Sequence, residues 1–324
     1  MNIMPKSEVI IISGPTATGK TTLGISLAKY LIKNKNLKAS ILNFDSLLFY
    51  DELTIGTSRP SISEMQGIDH YLIGTTSIKK PINAADFVNM ANPLIKHLHE
   101  KGHIIFLVGG SGFYLRALLH GMYPSRPISP EIQKQSEDLY QQEGIRPFLY
   151  ELKKIDEETF NRLHPNDHYR IRRAVEHYWE NNSKFSMAKK NLEERANYEG
   201  QACHLNSIHH IYLNIPKEDH YPIIESRTNH MIKNGLENEV KNLLNKGFSG
   251  QERPLQSIGY KEMVEYLLNK SITLDDCIKR IIISTRQLAK AQRTWFKRIS
   301  PKIEYNPLSD QEKIIVDLKN FLQF

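Results

Sequence analysis

The run Gly14-Pro15-Thr16-Ala17-Thr18-Gly19-Lys20-Thr21 satisfies G-x-x-x-x-G-K-[ST], a spacing suited to gripping phosphate oxygens. Its glycines let backbone amides converge on an anion, Lys20 adds positive charge, and the Thr21 hydroxyl can ligate a Mg²⁺ ion shared with the bound phosphates. The chemistry expected here is capture of a diphosphate. A nucleoside triphosphatase would also end a neighbouring strand in a carboxylate that holds the metal shell. Instead Ile104-Ile105-Phe106-Leu107-Val108 runs into Gly109-Gly110-Ser111-Gly112, which argues against a motor or an ATPase. Those glycines either bring more backbone close to a ligand or make a plain turn before a helix at Phe113.

A second chemical group stands in Asn43-Phe44-Asp45-Ser46. Asp45 reads as a member of a magnesium and phosphate network, as the cap of a following turn, or as a base. The base reading suits a weak nucleophile such as the exocyclic amine of adenine, whose lone pair is delocalised into the ring. A carboxylate accepting its proton during bond formation contributes about 10²- to 10⁴-fold.

Two basic clusters follow. Arg286, Lys290, Arg293 and Lys297 recur at spacings that place them on one helical stripe without an acid among them, opposite Ile281, Leu288, Trp295 and Phe296. The stripe is either a phosphate-contacting face or an ordinary solvated one. Tyr169-Arg170-Ile171-Arg172-Arg173 follows the helix-start signal His164-Pro165-Asn166-Asp167, with Ile171, Ala174, Val175 and Tyr178 as its inner stripe. Its arginines either grip a nucleic acid or form salt bridges within their own subdomain. No histidine has metal-ligand spacing with acids or cysteines, so no zinc site is expected.

The elements that must position these groups are β-branched runs at Val9 to Ile12, Ala39 to Phe44, Ile104 to Val108 and His210 to Ile215, each followed by turn residues and a helical stretch. That alternation predicts an α/β fold, a P-loop parallel sheet flanked by helices, with helix Thr21 to Ile32 leaving the phosphate loop. In such a sheet the strand preceding Asp45 opens onto the same crevice as the loop. Pro124, Pro127 and Pro130 punctuate a polar loop, and Glu131 to about Asn197 is charged and helical in period. The expected division is a first part of the core over 1–122, an inserted helical subdomain over 123–205 that binds the nucleic acid, and a return to the core with a helical carboxy-terminal region over 206–324. The last long helix is expected from about Leu274 to Arg298.

With 324 residues, 40% of them hydrophobic, the chain can bury a full core. Lys and Arg number 43 against 36 Asp and Glu, a net charge of +7 that favours a polyanionic partner. Two cysteines, Cys203 and Cys277, are too few for a disulfide framework and fit a reducing compartment. No apolar run approaches the length of a membrane span. The expectation is a cytoplasmic monomer with no membrane partner.

Together these residues resemble the tRNA dimethylallyltransferase family, also called tRNA isopentenyltransferases. The resemblance runs nearly the whole chain: Gly14 to Thr21, Asp45-Ser46 with Ile55-Gly56-Thr57, Ala85-Asp86-Phe87, Val108 to Tyr114, His164 to Asp167, Ile258-Gly259-Tyr260-Lys261-Glu262 and Thr285 to Lys290. It implies Mg²⁺, dimethylallyl diphosphate as donor, and as acceptor the exocyclic amine of the adenosine just 3′ of the anticodon in a tRNA anticodon stem-loop. It further implies Asp45 as general base, with Thr21 and Arg227 at the diphosphate. Asp45, Ser46, Leu47, Leu48, Ser111, Tyr169 to Arg173, and Gln256, Ser257, Ile258, Gly259, Tyr260 and Lys261 occupy positions the family uses around tRNA. The chain departs from the family pattern at Leu48, usually Gln, at Gly74, usually Asp, and at Ser111, usually Thr. Other readings of the same residues are a prenyltransferase acting on free adenine nucleotides, a P-loop small-molecule kinase, and a tRNA-binding protein without catalysis.

Overall fold

The computed structural model describes residues 8–121, 128–187 and 207–324. Pro124, Pro127, Cys203 and the end of the expected helical insertion lie outside the described residues. The chain divides into two compact units, Met1–Leu119 with Cys203–Phe324, and His120–Ala202.

In the first unit the apolar runs form a six-stranded sheet: β1 (Glu8–Ser13), β2 (Lys38–Asn43), β3 (Asp69–Tyr71), β4 (His103–Gly109), β5 (Ser207–Leu213) and β6 (Ile303–Tyr305). The order is β3-β2-β4-β1-β5-β6, and every pairing is parallel. A parallel sheet needs a crossover between neighbours and is covered on both faces, which is why its central strands read as unbroken apolar runs. Val9 to Ile12 are fully buried. β3 and β6 were not anticipated. Each is three residues long at a sheet edge, too short to show a period, and β6 adds one short strand to a region that is otherwise helical as expected.

Crossover helices cover the sheet. On one face Ile10, Ile12, Phe106, Val108, Ile211 and Leu213 pack on Ile25, Leu27, Ala28 and Leu31 of α1 (Lys20–Lys35). The same core takes Ile314 and Leu318 from the terminal helix (Gln311–Leu322). Beyond the sheet lie α2 (Ile62–Met65), α3 (Ala84–Glu100) and α4 (Gly112–His120). Phe49, Phe87 of α3 and Tyr114 of α4 stack at centroid distances of 5.5–6.0 Å.

The second unit contains α5 (Pro130–Glu143), α6 (Arg146–Ile155), α7 (Glu157–Arg162) and α8 (His168–Asn181) around Phe148, Leu152, Ile171, Ala174 and Val175. α7 starts where the Asp156 side chain caps the Thr159 N–H, and α8 where Asp167 caps that of Arg170.

Back in the first unit, α9 (Lys217–Lys233), α10 (Leu236–Asn245), α11 (Tyr260–Leu268) and α12 (Leu274–Phe296) build a second core from Met231, Val240, Tyr260, Met263, Cys277 and Ile281. The terminal helix is α13. Among the described residues no helix is long and apolar enough to cross a membrane.

Candidate active site

The phosphate loop leaves β1 at Ser13 and enters α1 at Lys20. Gly14 is needed for steric reasons: its φ is +152°, and a Cβ there would fall onto the Leu213 carbonyl oxygen of β5. Ala17 and Gly19 take left-handed backbone with φ of 62° and 78°, the conformation in which successive amides turn toward one point. The Thr18 hydroxyl donates to Pro15 O at 2.9 Å and Lys20 Nζ donates to the same oxygen at 2.6 Å. Burial pulls Lys20 down to about 8, opposed by the Asp45 carboxylate and reinforced by the Arg227 guanidinium.

Because β4 lies between β1 and β2, the segments leaving all three strands meet at one edge of the sheet. Asp45 follows β2, its own N–H bonded to Asn43 Oδ1 at 2.8 Å. Its Oδ1 accepts from Leu47 N at 3.2 Å, so one carboxylate oxygen caps the turn as one reading held. Its other oxygen, Oδ2, lies 3.5 Å from where a Cβ on Gly110 would sit. A Cβ on Gly109 would come within 2.7 Å of the Phe44 carbonyl carbon and 2.8 Å of Asp45 N. The glycine pair after β4 therefore brings the Asp45 turn close, and the ligand approach considered for it is not needed to explain it. Ser111 Oγ accepts from Ser46 N at 2.9 Å, which fixes the next peptide.

Arg227, from the middle of α9, faces the loop, its Nη2 donating to Thr57 O at 3.4 Å. Burial lowers its affinity for its proton, with Asp45 opposing. The loop bearing Thr57 is tied down by one carboxylate of α10. Glu239 accepts from the N–H groups of Thr54, Ile55 and Gly56 at 3.0, 2.8 and 3.2 Å, from the Thr54 hydroxyl, and from Tyr260 Oη at 2.7 Å. Gly56 is the only fit, since a Cβ would lie 2.5 Å from the Tyr260 ring.

One cleft of about 610 Å³ joins these parts. Thr16, Ala17, Gly19, Lys20 and Thr21 line one part, with Asp45, Leu48, Thr57, Arg59 and Arg227 around them. Lys20, Arg59 and Arg227 line the cleft with Asp45 and Glu64, so a multiply charged anion entering near the loop meets cations already held in place. At Gly74, where φ is +59°, any Cβ would meet the Arg59 guanidinium, so glycine there leaves space for a third cation at the cleft.

Gln256, Ser257, Ile258, Gly259, Tyr260 and Lys261 lie outside that cleft. Gln256 Nε2 donates to Gly250 O at 2.6 Å, Ser257 Oγ donates to Pro254 O at 2.6 Å, and Tyr260 is 0% exposed. Leu47 packs on the second core beside Ile55. In the second unit Ile171 is 1% exposed and Tyr169 is 69% exposed. Side-chain contact by Ile171 or Tyr260 is thus corrected: both belong to cores. The arginines of this segment take the alternative weighed from sequence: Arg170 pairs with Asp167 at 2.8 Å, Arg172 with Glu137 at 2.8 Å and Arg173 with Glu176 at 2.9 Å. Arg172 also lies over the Tyr140 ring, 4.5 Å from its centroid.

The stripe on α12 also needs correction. Arg286 stacks on Tyr221 and lies 3.8 Å from Glu225, an acid supplied by α9. Arg293 is turned inward, donating to Asn214 Oδ1, Ile215 O and His220 Nδ1 at 2.9, 3.0 and 2.6 Å. Lys290 and Lys297 stay exposed. On the face read as apolar, Leu288 is 38% exposed. The sequence hid this because the acid, the aromatic ring and the carbonyls come from other elements.

Two site residues had no sequence signal. Gln292 Oε1 accepts from Thr16 N at 2.8 Å while its Nε2 donates to Gly110 O at 3.0 Å. His220 Nε2 lies 2.9 Å from Thr16 O. A carbonyl only accepts and a guanidinium only donates, so His220 carries its proton on Nε2 and is neutral. Burial holds it below the usual histidine value, with the Thr16 carbonyl opposing and Arg293 and Lys20 adding to the shift.

Comparison with known proteins identifies the family. The IPP transferase family model matches residues 48–299. The chain is 36% identical over 293 residues to "tRNA dimethylallyltransferase 2" of Geotalea uraniireducens, covering 90% of each protein. It is 34% identical over 318 residues to the tRNA dimethylallyltransferase of Clostridioides difficile, covering 98% and 96%. Among solved structures, the full-length tRNA isopentenylpyrophosphate transferase of Bacillus halodurans superposes with a TM-score of 0.69 at 29% identity, over 98% of this chain and 96% of that one. A eukaryotic dimethylallyltransferase solved acting on tRNA shares the fold at a TM-score of 0.76 and 23% identity, over 97% of this chain and 79% of that one. The chain belongs to the IPP transferase family, whose matched members named here are tRNA dimethylallyl- and isopentenyltransferases.

Proposed function

We propose that this protein transfers a dimethylallyl group from dimethylallyl diphosphate to the N6 amine of the adenosine 3′-adjacent to the anticodon, in tRNAs that read codons starting with U. The products are N6-(dimethylallyl)adenosine and diphosphate. The observation that carries the reading is the single cleft that places the phosphate loop, Asp45 and Arg227 around one space.

Each residue then has a role its position supports. Backbone amides of Ala17 to Thr21, the Lys20 ammonium and the Arg227 guanidinium hold the diphosphate and stabilise the negative charge that grows on it as the allylic C–O bond breaks. Asp45, held by Leu47 N through Oδ1, accepts the N6 proton through Oδ2 as the new C–N bond forms. The acceptor base is turned out of the anticodon stack to reach that oxygen. Among the described residues no cluster of three or more His, Cys, Asp or Glu could hold a metal. The donor set nevertheless fits a Mg²⁺ ion held by the Thr21 hydroxyl and by the diphosphate's own oxygens. Bound there, Mg²⁺ supplies neutralising charge to the leaving group. Ser46 to Leu48, Ser111, Tyr169, Lys261 and Lys290 are proposed contacts to tRNA, and residues 123–205 a tRNA-binding subdomain.

The names of the matched relatives favour tRNA over a free nucleotide or a kinase substrate. The test is transfer of labelled dimethylallyl diphosphate, with Mg²⁺, to a tRNA with an adenosine-rich anticodon loop. Asp45→Ala is expected to lower turnover by about 10²- to 10⁴-fold. Label moving to AMP, ADP or ATP in preference to tRNA would overturn the acceptor, and near wild-type turnover in Asp45→Ala would overturn the base.

A further inference from the structure

Thr16 is held at both of its backbone polar groups by side chains far away in sequence. Its N–H donates to Gln292 Oε1 at 2.8 Å and its carbonyl accepts from His220 Nε2 at 2.9 Å. The Thr16 amide is therefore committed to Gln292, and the amides left for a diphosphate begin at Ala17. Gln292 uses its other amide atom on a different segment, Gly110 O at 3.0 Å. That segment lies against the base, since the point where a Cβ on Gly110 would sit is 2.8 Å from Gln292 Nε2 and 3.5 Å from Asp45 Oδ2. A single planar amide thus joins the loop that receives the donor to the glycine turn packed against the proton acceptor. Both bonds agree with one orientation of the amide, oxygen toward N–H and nitrogen toward C=O. α12 fixes the side chain in turn: Arg293, the next residue, anchors the helix to Asn214 and Ile215, and to the same His220 that holds Thr16 O.

We infer that Gln292 is a positioning residue that sets the spacing between the diphosphate cradle and Asp45, so that donor carbon and acceptor nitrogen meet at reaction distance. The inference rests on the prenyl-transfer reading above. Misplacing reacting groups by about 1 Å costs on the order of 10²-fold in rate. A residue with this role should therefore affect the transfer step more than the capture of either substrate.

Two substitutions separate that role from general support of the fold. Gln292→Met keeps length and bulk but removes both hydrogen bonds. Gln292→Glu keeps an acceptor for Thr16 N–H, sets a carboxylate against Gly110 O and adds a negative charge next to Asp45. The readouts are the single-turnover transfer rate at saturating donor and tRNA, and the affinity for magnesium pyrophosphate by calorimetry. Gln292→Met is expected to lower the single-turnover rate about 30- to 100-fold, with pyrophosphate affinity within about threefold. Gln292→Glu is expected to lower the single-turnover rate as well, because it keeps the bond to Thr16 N–H and loses the one to Gly110 O. A Gln292→Met rate within about threefold of wild type overturns the inference. So does a rate loss matched by an equal loss of pyrophosphate affinity, which would mean support of the cradle alone. If Gln292→Met does not fold, Gln292→Glu decides, and a rate within about threefold of wild type overturns the role. No transfer by the wild type removes the reaction reading itself, whereas wild-type transfer by the variants removes only the role of Gln292.

Discussion

Lys20 shows how one residue carries both structure and chemistry. Its ammonium donates to Pro15 O within its own loop, and burial has brought it down to about 8. The sign follows directly: below that value the side chain is charged and attracts a diphosphate, and above it the charge is lost. Magnesium pyrophosphate affinity measured by calorimetry should stay level up to about pH 8 and then fall, by up to about tenfold per pH unit. Lys20→Met should bind more weakly below about pH 8 and show no such step. Lys20, Thr21 and the glycines were legible in the sequence because the loop that uses them is continuous. Asp45 was legible as a carboxylate at a strand end, and of its three readings the cap is seen at Oδ1, while the base is proposed for Oδ2. Gln292 and His220 were not legible, since their bonds to Thr16 span 276 and 204 residues and nothing near them in the chain signals the partner.

Among the elements, the four long strands and the helix leaving the phosphate loop were legible because fully buried parallel strands have a strong pattern. Edge strands of three residues do not. The segment from Thr54 to Thr57 is neither helix nor strand, yet it presents the carbonyl that receives Arg227. What holds it is a carboxylate borrowed from α10. Removing that carboxylate leaves several donors without their acceptor at once, each worth about 1–3 kcal/mol where water cannot replace it. Glu239→Ala should therefore lose about 2–4 kcal/mol in urea unfolding, well short of the sum because the loop can open to solvent. Its transfer rate should fall with Arg227 no longer oriented. Unchanged stability would show that the loop is held by Tyr260 packing alone.

For the molecule as a whole, net charge pointed to a polyanionic partner but not to the side chains that meet it. Much of the arginine is spent internally: Arg170, Arg172 and Arg173 on acids of their own unit, and Arg293 on α9 and the end of β5. The lysines of α12 remain outside. These two classes should separate in the salt dependence of tRNA binding. Lys290→Gln should reduce the slope of log K against log salt by about 0.7–0.9, at unchanged stability. Arg293→Gln should leave the slope as it is and lower stability by about 1–3 kcal/mol. The reverse pattern would put Arg293 on the nucleic acid. The bond between Gln292 and Thr16 also bears on how the protein is made. The phosphate loop is made 276 residues before the side chain that secures it. A growing chain therefore carries an untied loop until Gln292 has been added, and a product terminated before that residue leaves the Thr16 N–H without this acceptor.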